Sequence, residues 1–158
     1  YKRQGFVKNI ASIIGGGVIG AGWASRFLLM GWDVNIFDRD PEVERKVNEV
    51  LVNARRSLPG LYEEELPIEG KLTFCNSVEV ALKNSTWVQE SIPEQLELKH
   101  ATYNEILNFS DKDTIICSST SGFKPSELNN GLSSQNRIMV AHPFNPVYLL
   151  PLVVDERI

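Results

Sequence analysis

Three glycines constrain this chain more than any other feature. Gly15, Gly17 and Gly20 form G-x-G-x-x-G within the stretch "ASIIGGGVIGAGWASRF". The pattern alone is weak, because glycine loops are common, but its setting narrows it. The apolar run "NIASII" (9–14) precedes it and reads as a buried strand; Val18 to Met30 follows with helical character. A second strand, "DVNIFD" (33–38), then ends in an acid, Asp38, close to the roughly 20-residue spacing expected of a dinucleotide-binding βαβ unit.

Each part of that unit has a physical task. Gly15 lets the chain turn tightly out of the strand, Gly17 lets the backbone approach a pyrophosphate, and Gly20 lets the helix pack closely on the strand. The helix N-terminus, starting at Val18 and Ile19, offers N–H groups and a positive dipole end to the phosphates. Asp38 suits the ribose hydroxyls and repels a 2′-phosphate, so the expected cofactor is NAD rather than NADP. Arg39, next in sequence, softens that preference.

Strands and helices alternate along the rest of the chain. A helix is expected after Asp40 as N-cap and Pro41 at its first position, with Val43, Val47, Val50 and Leu51 on one face. Further strands are "KLTFC" (71–75), "TWVQES" (86–91), "TIICSS" (114–119) and "RIMVAH" (137–142). Helical segments are Val78 to Leu82, "PEQLELKHATYNEIL" (93–107) and a turn at "KPSELNN". The fold class is therefore α/β: a Rossmann-type doubly wound, mostly parallel sheet covered on both faces. The 158 residues read as one NAD-binding domain, 1–158, with an irregular excursion around 57–71.

The net charge of −4 argues against nucleic acid or an anionic membrane as the main partner, since both call for a basic face. No apolar run approaches the roughly 20 residues that span a bilayer. The N-terminus "YKRQGFVKNI" has no signal-type apolar block and no initiating Met, so a processed or excised piece is expected. Cys75 and Cys117 sit in strand-like segments without CxxC spacing, as expected of reduced thiols in a cytoplasmic protein. No metal site is expected.

Chemistry must come from the second half of the chain. His100 lies in mid-helix and reads as a surface or satisfied side chain. His142 ends a strand in "MVAHPFNPVYLLP", where ligands bind in open α/β sheets. A neutral imidazole there can accept a hydroxyl proton while hydride leaves for a nicotinamide. The strand end "CSSTSGF" supplies Ser118, Ser119, Thr120 and Ser121, any of which can hydrogen-bond a substrate oxygen.

"GGGVIGAGWA", "WVQESIPEQLELK", "SSTSGF" and "AHPFNPVYLLPLV" fall in the order of the L-3-hydroxyacyl-CoA dehydrogenase superfamily, which the chain resembles over residues 9–153. "WVQESIPE" and "HPFNPVYLLPLV" look most like its carnitine 3-dehydrogenase branch. The resemblance implies NAD-dependent oxidation of a 3-hydroxy acid, with L-carnitine going to 3-dehydrocarnitine. It implies His142 as general base, Ser121 on the substrate oxygen, Asn145 helping to hold the site, and Glu94 lining the nicotinamide end of the cleft. It also implies a C-terminal helical domain, absent here, through which a homodimer forms.

Two departures from the family pattern bear on activity. The family places after "PLV" a glutamate that orients the histidine; here that residue is Val154. Asp155 points to the opposite strand face, and Glu156 returns to the right face two residues too far along. The segment "VVDERI" does not read like the family at this point, which suggests missing residues. The second departure is length: this chain alone is expected to bind NAD and turn over poorly. A 3-hydroxyacyl-CoA substrate and a non-enzymatic, crystallin-like NAD-binding body are the alternatives. Phe123, Phe144, Tyr148 and Glu90 lean towards a small cation over an acyl-CoA, with Lys124 the obvious base nearby.

Overall fold

The computed structural model describes residues 9–134, 136–150 and 153–156, the last three of these through their backbone alone. The N-terminal reading over residues 1–8 and the "PL" of "PLV" lie outside the described residues.

Seven strands form one sheet in the order β3-β2-β1-β4-β5-β6-β7. They are β1 (Ile10–Ile14), β2 (Asp33–Phe37), β3 (Leu72–Phe74), β4 (Trp87–Glu90), β5 (Ile115–Ser118), β6 (Ile138–Pro143) and β7 (Val153–Glu156). The first six are parallel; β7 runs antiparallel to β6. The helices are α1 (Val18–Leu29), α2 (Val43–Ser57), α3 (Val78–Leu82), α4 (Leu96–Phe109) and α5 (Pro125–Asn129).

Strand alternation splits the core in two. Ala11 and Ile13 of β1 pack with Ala21, Ala24 and Leu28 of α1 and with Val47, Leu51 and Ala54 of α2. Ile14 faces the other way, into a cluster with Val78 and Ala81 of α3, Tyr103 and Ile106 of α4, and Leu128 of α5. Helices therefore cover both faces, and the sheet is doubly wound. Chain order reverses at β1, whose neighbours are β2 and β4. A crevice opens at such a switch point, beyond the carboxyl ends of the strands.

Two helix starts differ from the expected ones. The Asp40–Pro41 signal precedes α2 rather than opening it: Asp40 Oδ1 accepts from the Glu42 N–H at 2.9 Å and shapes a turn before Val43. Likewise Pro93 precedes α4, which starts at Leu96 with Gln95 at the N-cap position. The excursion after α2 consists of a 3-10 turn, Leu58–Leu61, and an irregular path to β3. Arg55 and Glu69 pair across it at 2.7 Å, and the Gly70 N–H donates to Leu28 O at 2.9 Å. Cys117 is buried in β5 and Cys75 is half-buried just past β3; neither forms a disulfide. Burial raises the Cys75 thiol pKa. Among the described residues, no helix is long and apolar enough to cross a membrane.

Candidate active site

The glycine turn is built by contacts with both neighbouring strands. Gly15 has φ +97° and donates its N–H to Phe37 O at 2.9 Å. A Cβ on Gly15 would lie 2.6 Å from Ser91 O, beyond the end of β4. Asp38 holds the turn from the β2 side: its Oδ2 accepts from the Gly16 N–H at 2.6 Å and its Oδ1 from the Asp40 N–H at 2.8 Å. Each oxygen keeps acceptor capacity for another hydroxyl. At Gly17, the N-cap of α1, an added Cβ would meet nothing within 4 Å, and no side chain caps the helix. The space beside Gly17 at the helix N-terminus is therefore open.

Beside this turn lies a cavity of about 520 Å³. Gly15, Gly17, Asp38 and Arg39 line one end; Phe37, Val78, Ile92, Pro93 and Leu98 give it an apolar slot. Apolar walls with a few polar groups at fixed places are what an adenosine-sized ligand requires.

A second cavity, about 210 Å³, lies at the other side of the switch point. Ile19, Glu94, Lys99, Ser119, Ser121 and His142 are among the residues lining it. His142 Nδ1 lies 3.2 Å from the Ser119 carbonyl oxygen. A carbonyl only accepts, so Nδ1 carries the hydrogen and Nε2 is left as the acceptor. Ser119 is itself fixed: its Oγ accepts from Gln89 Nε2 at 2.8 Å and bonds Ser91 Oγ at 2.8 Å.

Glu94 organises the loop after β5. Its Oε1 accepts from the Thr120 hydroxyl, from the Ser121 N–H at 3.2 Å and from the Gly122 N–H at 3.0 Å. Desolvation alone would raise the Glu94 pKa. The Thr120 hydrogen bond, the Lys99 charge and the Gly122 N–H outweigh it and hold the carboxyl below its ordinary value.

Beneath this cavity lies a buried polar cluster. Lys99 Nζ pairs with Glu90 Oε1 at 2.7 Å, both side chains being essentially inaccessible, and reaches Glu94 Oε2 at 3.3 Å. Glu90 Oε2 accepts from Tyr103 Oη at 2.5 Å and Ser118 Oγ at 2.6 Å, and Oε1 from the Ile92 N–H at 2.8 Å.

Of the expected site residues, Gly15, Gly17, Asp38 and Arg39 meet at the larger cavity, and Ile19, Glu94, Ser121 and His142 at the smaller. Gly20 lies behind the turn, in contact with Gly15. Val18 is exposed in the first turn of α1, and Asn145 is exposed on the loop after β6; neither side chain lines either cavity. The grouping of Phe123, Phe144, Tyr148 and Glu90 around a small cation is not assembled. Glu90 is buried against Lys99, Phe123 and Tyr148 pack on the two core clusters, and Phe144 is exposed. His100 is satisfied, with Nε2 2.8 Å from Glu127 O. The Lys99–Glu90–Tyr103 cluster was not foreseen. Its signal was a lysine on the buried stripe of α4, in line with Tyr103 and Ile106.

Val154 is the register partner of His142 across β6 and β7. The position at which the family pattern carries its glutamate thus falls opposite the histidine, and its occupant is a valine. The side-chain directions expected for Val154, Asp155 and Glu156 lie outside the described residues.

The model of the 3-hydroxyacyl-CoA dehydrogenase NAD-binding domain matches residues 10–154. This chain belongs to that family. The NAD-binding domain of the 3-hydroxyacyl-CoA dehydrogenases gives it its cofactor, NAD, and the open Gly17 cradle, the acid ending β2 and the apolar slot fit that dinucleotide. An L-carnitine dehydrogenase/betainyl-CoA thioesterase of Ruegeria pomeroyi is 60% identical over 143 residues. That match covers 90% of this chain and 29% of the relative. An L-carnitine dehydrogenase of Mesorhizobium japonicum is 51% identical over 146 residues, 92% of this chain and 40% of its own length. The chain thus spans less than half of either relative. Among solved structures, a 5-formyl-3-hydroxy-2-methylpyridine 4-carboxylic acid 5-dehydrogenase superposes with TM-score 0.82 at 28% identity. It is covered over 48% of its length, against 92% of this chain. The 3-hydroxybutyryl-CoA dehydrogenase of Escherichia coli shares the fold, with TM-score 0.78 at 20% identity over 92% of this chain and 32% of its own.

Proposed function

We propose that this chain is the cofactor-binding part of an NAD-dependent 3-hydroxy-acid dehydrogenase whose substrate is L-carnitine, oxidised to 3-dehydrocarnitine. One observation carries the chemistry: His142 and Ser121, from two different strand ends, line one cavity with Ile19 of the glycine-turn helix. The carnitine assignment rests on the relatives' activity.

NAD+, when bound, supplies the hydride acceptor. The chain's own groups do the rest. The N–H groups at Gly17, Val18 and Ile19 face the pyrophosphate, and Asp38 accepts from the ribose hydroxyls, with Arg39 beside it. Nε2 of His142 takes the proton of the 3-hydroxyl, Nδ1 being held by Ser119 O. Ser121 hydrogen-bonds the substrate oxygen, and Asn145 steadies the "HPFNP" loop. Glu94 holds the Ser121 loop in place. Residues 1–158 make up one NAD-binding domain in this reading.

The assembled protein is read as a cytoplasmic homodimer. Two cysteines outside any disulfide support the compartment. The exposed apolar Val18, Phe144, Leu150 and Val153, on segments that carry the site, support burial against further protein.

The test is NADH production by the full-length protein with L-carnitine and with 3-hydroxybutyryl-CoA. Higher kcat/KM for carnitine is expected; preference for the thioester would overturn the substrate. Val154 opposite His142 favours a second reading, an NAD-binding protein without chemistry. Its signature is NADH binding with no turnover of either compound.

A further inference from the structure

The cavity shared by His142 and Ser121 rests on three charged side chains in a row. Glu90 and Lys99 are buried, 2.7 Å apart, and cancel each other. The Glu90 carboxylate is further quieted by Tyr103, Ser118 and the Ile92 N–H. Lys99 spends its charge on this partner first, and its contact with Glu94 is longer, 3.3 Å. The row therefore carries one net negative charge. That charge resides on Glu94, the partly exposed member, which lines the cavity. Among the described residues, Glu94 is the one carboxylate lining this cavity, and His142 the one imidazole.

A cavity lined by one uncancelled carboxylate favours a cation over a neutral occupant of the same shape. The two states of the nicotinamide ring are such a pair: positive when oxidised, neutral when reduced. We infer that Glu94, freed from full neutralisation by the buried Glu90–Lys99 pair, is the residue that sets the oxidation-state preference of this site, favouring NAD+ over NADH and thereby the oxidising direction. This inference rests on the reading of the smaller cavity as the nicotinamide end. It differs from a purely structural role for Glu94, in which the loop at 120–122 is held and both cofactor forms benefit equally.

The experiment is calorimetric titration of the full-length protein with NAD+ and with NADH, in wild type, Glu94→Gln and Glu94→Asp. Glutamine keeps an oxygen for the Thr120, Ser121 and Gly122 donors, and a thermal melt checks that the fold is kept. The expected result in Glu94→Gln is a three- to tenfold loss of NAD+ affinity relative to NADH, the range for a partly solvated charge several ångströms away. Glu94→Asp retains the charge and is expected to keep the wild-type ratio within about twofold while weakening both forms. Equal weakening of both forms in Glu94→Gln, or the same ratio change in Glu94→Asp as in Glu94→Gln, would overturn the inference and leave the cofactor site standing. Wild type binding neither form would overturn the cavity assignment together with the inference.

Discussion

Gly20 packs so closely on Gly15 that a Cβ built on it would lie 1.8 Å from the Gly15 carbonyl oxygen. Three residues earlier the situation reverses: a Cβ on Gly17 meets nothing within 4 Å. The two glycines therefore serve different ends, one for folding and one for binding. Gly20→Ala is expected to give insoluble or unfolded protein, since the Gly15 backbone would have to move. Gly17→Ala is expected to keep a melting temperature within a few degrees of wild type and to weaken NADH binding at least tenfold, because the methyl group occupies the approach to the helix N-terminus. A melt and an NADH fluorescence titration on each variant check the contrast. Normal binding by Gly17→Ala would place the pyrophosphate elsewhere.

Lys99 stabilises the fold from inside. Removing its ammonium leaves Glu90 as a buried carboxylate without its counter-ion, a loss of about 3–5 kcal/mol in comparable cases. Domains of this size have roughly 5–15 kcal/mol in total. Lys99→Met is therefore expected to shift the urea midpoint strongly downwards or abolish the folded state. Recovery of most of that loss in Lys99→Met combined with Glu90→Leu identifies the stranded charge as the cause. A single variant as stable as wild type excludes it.

Tyr103 is expected to make the stability fall in alkali. Burial raises its phenol pKa well above the ordinary value, and the nearby Glu90 charge and hydrogen bond add to this. The folded chain therefore keeps the proton after the unfolded chain releases it, near pH 10. The stabilisation is complete below that pH and is lost progressively as pH rises further. Denaturant midpoints measured from pH 8 to 11 should fall above about 10, and the fall should shrink in Tyr103→Phe. An unchanged slope in Tyr103→Phe assigns the alkaline loss to other groups.

Val154→Glu addresses the chemistry. Register pairs residue 154 with His142, and a carboxylate at that position is expected to steady the cationic imidazole. Loss of an orienting carboxylate costs on the order of 10⁴ in rate in serine-protease triads. The variant is expected to raise carnitine oxidation by the full-length protein at least about tenfold. An unchanged rate would favour a body whose chemistry is gone.

Much of the fold was legible because the sequence repeats one local theme. Short apolar runs are closed by polar, glycine or proline residues, and each of the six parallel strands falls within two residues of its expected span. The antiparallel β7 carried no comparable signal, since "VVDERI" is an apolar pair followed by charges and its pairing with β6 is a long-range event. Helix starts moved because Asp40 and Pro93 shape turns before α2 and α4 instead of opening them. At the site, residues at strand ends could be placed by topology, so His142 and Asp38 were expected at the crevice, whereas topology left four hydroxyls open after β5 and only the family resemblance singled out Ser121. Glu90 was misplaced for the same reason. It also ends a strand, and the sequence does not say that a lysine nine residues on, in α4, will meet it in the interior. Burial with a partner is a tertiary fact, and it decided Glu90.

Asp38 binds two backbone N–H groups of its own protein, at Gly16 and Asp40, before any ribose arrives. Cofactor choice is thereby tied to the integrity of the turn. An adaptive path from NAD to NADP that starts by replacing this acid passes through a protein with a loosened phosphate loop, so the change must be preceded by a substitution that restrains the loop by other means. Selection acting on one residue at a time would find such a trait hard to alter, and a designer would have to alter the turn and the acid together.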